Sequence, residues 1–68
     1  MYIMHDAAAN ADLCWESIKA LMALGSSFKE ACQNVVYMDT DHVEHRGPLN
    51  KGEIDWMRQA AKRDGIKV

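Results

Sequence analysis

The stretch Gly25-Ser26-Ser27-Phe28-Lys29-Glu30 does more than any other to limit how this chain can fold. Glycine readily takes the left-handed backbone that closes a helix. Two residues later, Ser27 and Glu30 match the Ser-x-x-Glu capping box, in which each side chain satisfies a free backbone N–H of the other residue. One helix is therefore predicted to end at Gly25 and a second to start at Ser27. A turn this short makes the two helices a hairpin or sharply angled neighbours.

The first helix is predicted over about residues 6–24, with Asp6 as its N-cap. At 100° per residue Ala7, Ala11, Cys14, Ile18, Leu21 and Met22 share one arc, with Trp15 on its shoulder, and Asp12, Glu16 and Lys19 lie opposite. A second apolar line, Leu13, Ala20 and Leu24, runs off the main face and is a candidate contact surface. The second helix is predicted over 27–39, burying Phe28, Ala31, Cys32, Val35 and Val36. A break near 39–40 and a helical turn over 41–46 are expected to follow, the alternative being a second helix that continues to Arg46 and ends at Gly47. Gly47-Pro48 then forbids continuation. Asn50 and Glu53 repeat the capping signature, so a third helix is predicted over 50–64 with Ile54, Met57, Ala60 and Ala61 inward. Asp64-Gly65 ends it, leaving Ile66-Lys67-Val68 as an extended tail. The predicted fold is a single all-α domain of three helices spanning 1–68. Its core gathers Ala11, Cys14, Ile18, Leu21, Phe28, Cys32, Val35, Ile54, Met57 and Ala61. A competing β reading places short strands at Met1–Met4, Val35–Met38 and Ile66–Val68, but strands this short make a poor sheet by themselves.

Between 39 and 45 the chain packs Asp39, Asp41, His42, Glu44 and His45. A calcium loop is excluded, because Glu44 stands where the turn glycine belongs and Asn50 where the bidentate glutamate belongs. On a helix, Asp41 with His45, or His42 with His45, would share a face suited to zinc. A structural zinc site needs four ligands and no second pair is evident, so the stretch reads as solvated punctuation with no metal and no cofactor. Catalysis finds no support: there is no phosphate loop and no nucleophile elbow, and neither cysteine has a basic context. The chain is not expected to be an enzyme.

Sixty-eight residues bury only about 60% of the surface their unfolded chain exposes, so a chain this size gains from a partner subunit. Residues 1–44 carry a charge of roughly −5 and residues 45–68 roughly +3, an asymmetry that suits protein partners or self-association. The two cysteines make no secreted disulfide framework, no run approaches a membrane span, and no basic-then-apolar leader opens the chain. The expected location is the cytoplasm.

The function expected from these features is that of a small interaction module: an accessory subunit, inhibitor or adaptor that binds a larger protein, with homodimer formation expected. Its contact residues would be Leu13, Ala20, Leu24, Trp56 and Arg63, with Trp56 either capping the core or anchoring an interface. Compact chains of this kind are common among accessory proteins of phages and mobile elements, which is an association only. The alternative is a dimeric helical DNA-binding regulator. Lys51, Arg58 and Lys62 fall within about 40° of one another on the third helix, with Asn50, Gln59 and Arg63 nearby.

Overall fold

The computed structural model describes residues 3–68, with side chains from Asn10 onward. Helix α1 runs Ile3–Ala23, α2 Phe28–Asn34 and α3 Lys51–Arg63, and between α2 and α3 lie two short strands, β1 (Val36–Met38) and β2 (Glu44–Arg46).

Local chemistry fixes the helix ends. Gly25 has φ 110°, Ser26 N–H reaches back to Leu21 C=O at 3.1 Å, and Gly25 N–H reaches Met22 C=O at 3.0 Å. Together these make a Schellman closure. The same pair of bonds recurs after α3, from Ile66 to Ala61 and from Gly65 to Lys62, with Gly65 at φ 75°. Both capping boxes form as the sequence predicts, Ser27 with Glu30 and Asn50 with Glu53. Asp6 does not cap α1, because the helix starts at Ile3 and Asp6 falls inside it.

The domain is mostly helical, but it is not all-α. Helix α2 stops at Asn34, five residues short of the predicted end, and Val35 is already extended at φ −60°, ψ 140°. Two features end it. Val35 and Val36 are β-branched and favour the extended backbone. The returning chain also takes over the carbonyls that a longer helix would have used. Leu49 N–H donates to Cys32 C=O at 3.0 Å, and Gly47 N–H to Val35 C=O at 2.8 Å. The helical turn expected over 41–46 is likewise absent. Strands β1 and β2 pair antiparallel, with Val36 opposite Arg46, Tyr37 opposite His45 and Met38 opposite Glu44. A strand over 35–38 was the competing β reading, yet its partner is β2 and neither chain end. Ile3 and Met4 belong to α1, Met1 and Tyr2 lie outside the described residues, and Ile66–Val68 join no strand.

The core sits where α1, α2, α3 and the start of β1 converge. Its buried members are Cys14, Trp15, Ile18, Ala31, Cys32, Val35, Met57, Ala60 and Ala61, and Ala11, Leu21, Phe28 and Ile54 pack against them. Every residue of the predicted core is therefore inside or against it. Trp15 departs from its predicted place on the shoulder of the face: it is 1% exposed and among the largest fully buried side chains. The end of α3 extends the core over that shoulder, and the indole N–H donates to Asp64 Oδ2.

Candidate interaction surface on α1 and the hairpin

The cluster at 39–45 is a hairpin turn held by one carboxylate. Asp39 Oδ1 accepts from the N–H groups of Asp41 (2.8 Å) and Val43 (3.0 Å), and Oδ2 lies 2.6 Å from His45 Nε2. Asp39 N–H donates to Val43 C=O, and His42 N–H to Asp39 C=O. His42 follows at φ 62°, so the loop is a tight turn with a left-handed residue at its exit, a common three-residue hairpin connection. The His45 ring stacks on Tyr37, its partner across the strands, with centroids 5.0 Å apart and planes 13° from parallel. The Val43 N–H, followed by His45, holds the Asp39 carboxyl below the usual carboxylate range. Since no helix forms here, the zinc pairings of Asp41 with His45 and His42 with His45 lose the spacing on which they depended. Among the described residues no three His, Cys, Asp or Glu side chains gather as a metal site.

The turn also positions the hairpin against α1. Thr40 N–H donates to Asn10 Oδ1 at 3.1 Å, while Val36 lines a shallow depression with Ser17, Ala20, Leu21 and Asn34. Four strand residues cover about 13 Å, and ten helix residues about 15 Å. Strand β1 therefore runs back along α1, from the level of Ala20 to that of Asn10. Val36 and Met38 are both exposed, on the strand face away from Tyr37.

Leu13, Ala20 and Leu24 are solvent-exposed on α1, Leu13 at 38% and Leu24 at 85%, and Ala20 lines the depression beside Val36. Ser17 completes the row, whose spacing of four, three and four residues is that of a coiled-coil seam. The sequence points to the leucines and Ala20 but not to Ser17 or Met38, and it places Val36 in the buried stripe of the second helix, whereas Val36 is exposed on β1. Including small residues in the heptad count would have recovered Ser17. The two strand residues became legible only once Tyr37 was known to point inward.

The other expected contact residues lie elsewhere. Trp56 is 50% exposed and lines a cleft of about 200 Å3 with Asn10, Ala11, Cys14, Tyr37, Glu53 and Met57. Arg63 pairs with Asp64 at 3.1 Å and reaches Asp12 at 3.5 Å. On α1, Asp12 is about 100° round from Leu13, so Arg63 is not brought into the leucine row, and Trp56 borders α1 at Asn10, Ala11 and Cys14 rather than at the leucines.

The basic face of α3 is interrupted. Asp55 falls on the same arc as Lys51, Arg58 and Lys62, and pairs with Arg58 at 3.3 Å. Asn50 is occupied by its cap, while Lys51, Gln59 and Lys62 are exposed. Residues 35–50 separate α2 from α3 by a hairpin and a return segment, where a helix-turn-helix has a three- or four-residue turn. Burial pushes the Cys14 thiol up to about 11 and also raises Cys32, so neither supplies a thiolate near neutral pH. Among the described residues no helix is long and apolar enough to cross a membrane.

No protein-family model, curated protein or solved structure matches this chain. The functional reading rests on its own residues.

Proposed function

We propose that this chain is a small protein–protein interaction module, an accessory subunit, inhibitor or adaptor that forms a two-fold dimer and acts by binding a larger protein. The observation that carries the reading is the row Leu13, Ser17, Ala20 and Leu24, in which Ser17 is half-buried and the other three are exposed, beside a strand that exposes Val36 and Met38. A marginal core gains about 25 cal/mol for each Å2 of apolar surface removed from water. A two-fold dimer needs only one self-complementary patch.

The row is self-complementary in the antiparallel sense. Turned end for end, its spacing is unchanged, so Leu13 meets the partner copy's Leu24 and Ser17 meets its Ala20. Small residues then lie at the crossing, where the helices come closest. The flanks favour the same orientation. One side of the row is apolar (Leu21, Val36, Met38) and the other polar (Asp12, Glu16). Antiparallel helices bring like flanks together, so Val36 and Met38 would face the other copy's Val36 and Met38. A parallel pair would set them against Glu16.

Mild oxidation of mixed chains, each carrying one added exposed cysteine while Cys14 and Cys32 stay buried, tests the orientation. Leu13→Cys mixed with Leu24→Cys should cross-link, whereas Leu24→Cys alone should not, because its two copies would lie about 16 Å apart along the axis. The reverse pattern overturns the antiparallel arrangement. Affinity capture from native lysate tests the wider reading. A defined protein recovered with or without nuclease supports it, and nuclease-sensitive recovery favours the DNA-binding alternative.

A further inference from the structure

The geometry points to a second binding surface: the groove between α2 and α3 takes an acidic, amphipathic peptide segment of the partner protein. This rests on the interaction-module reading and adds to it where the partner docks and what its chemistry is.

The groove has a volume of about 470 Å3 and is lined by residues from α2, the return segment and α3. Its floor is apolar, built from Phe28, Cys32, Leu49 and Ile54, with Pro48 at the edge. Lys29 and Arg58 stand on its rims, and no acidic residue lines it. The chain as a whole is acidic at −2, so a concave surface with two cations and no carboxylate runs against the average. By contrast, Glu53 lines the smaller cleft beside Trp56.

The rim is positioned by the fold. Arg58 lies over the Phe28 ring with its guanidinium carbon 5.9 Å from the centroid, which holds the charge above the apolar floor. Its pairing with Asp55 is solvent-exposed on both sides, and such pairs are weak, so the guanidinium remains able to engage a carboxylate. The same charge reaches the floor, where it opposes the rise that burial gives the Cys32 thiol. Glu30 points away, being held in the Ser27 cap on the far side of α2.

These features select the ligand class. A groove of this volume accepts one bulky apolar side chain with its neighbours. Lys29 and Arg58 favour carboxylates on either side of that anchor and disfavour basic segments. The groove shares no residue with the α1 row, so a dimer would present it twice.

A displayed library of random dodecapeptides, selected on the full-length chain, tests the assignment. Enriched peptides should be acidic with a bulky apolar residue. Their affinity should fall roughly tenfold or more in the Lys29→Glu, Arg58→Glu variant, should weaken with salt, and should survive Leu24→Glu. Both rim substitutions are at exposed positions, and circular dichroism confirms that the variant is folded. Basic or neutral winners, or no enrichment, would overturn the groove assignment, as would acidic winners indifferent to the rim variant. Winners lost only in Leu24→Glu would overturn it while leaving the interaction-module reading in place.

Discussion

The indole N–H of Trp15 donates to Asp64 Oδ2 at 2.7 Å, tying the middle of α1 to the residue that closes α3. Trp15 is almost wholly buried, so its N–H depends on that carboxylate. Trp15→Ala should cost about 3–5 kcal/mol, a large share of the roughly 3–10 kcal/mol expected of a domain this size. Asp64→Asn keeps an acceptor and should lower the melting temperature less than Asp64→Leu, which leaves the N–H unpaired. Urea and thermal unfolding followed by circular dichroism would rank the three variants.

Stability should fall as pH drops below the ordinary carboxylate range. Asp39 is held low by the Val43 N–H and then His45, Asp64 by the Trp15 N–H and then Arg63, and Glu30 by the Ser27 cap. A carboxyl whose folded pKa lies below its unfolded value stabilises the fold above the unfolded value. That contribution is lost as pH falls through the folded pKa. At the alkaline end Cys14 acts in the opposite sense. Its folded value is about 11 against 9.0, so stability should drop as pH rises from 9 to 11. Urea midpoints across pH 2–11 would show both limbs, and Asp39→Asn should flatten part of the acid limb.

Gly47→Ala should destabilise by about 1–3 kcal/mol, the range for overpacking. A Cβ at Gly47 would lie 2.6 Å from Gln33 C=O and 2.9 Å from Cys32 C=O, both backbone atoms that move only with α2. The measurement is the shift in urea midpoint at unchanged slope.

His42→Gly should stabilise the hairpin by about 0.5–1 kcal/mol. His42 is held at positive φ, where a side chain is strained and glycine is not, less glycine's larger loss of freedom on folding. His42→Val, β-branched at the same φ, should destabilise. Thermal unfolding of the two variants gives the order.

The helix boundaries that the sequence made legible are those set by local chemistry. Ser27 with Glu30, Asn50 with Glu53, and Gly25 and Gly65 each act within six residues, and each appears where the spacing puts it. The end of α2 was not legible in the same way. It depends on Leu49 and Gly47 returning to the carbonyls of Cys32 and Val35, a tertiary event that no local propensity encodes. The hairpin was hidden for a related reason: Asp39 works as a turn clamp only once β2 brings His45 beside it. Trp15 looked peripheral because helical periodicity describes one helix at a time, whereas its burial is set by the end of α3. Leu13, Ala20 and Leu24 were readable because exposed apolar residues in line depend on one helix alone.

Sedimentation equilibrium of the wild-type chain tests the dimer most directly. The proposed seam predicts a mass that approaches twice 7.7 kDa as concentration rises through the micromolar range. Leu13→Glu with Leu24→Glu should stay folded at 7.7 kDa, because both leucines are exposed in the monomer. A wild-type chain that remains at 7.7 kDa at high micromolar concentration would contradict the seam.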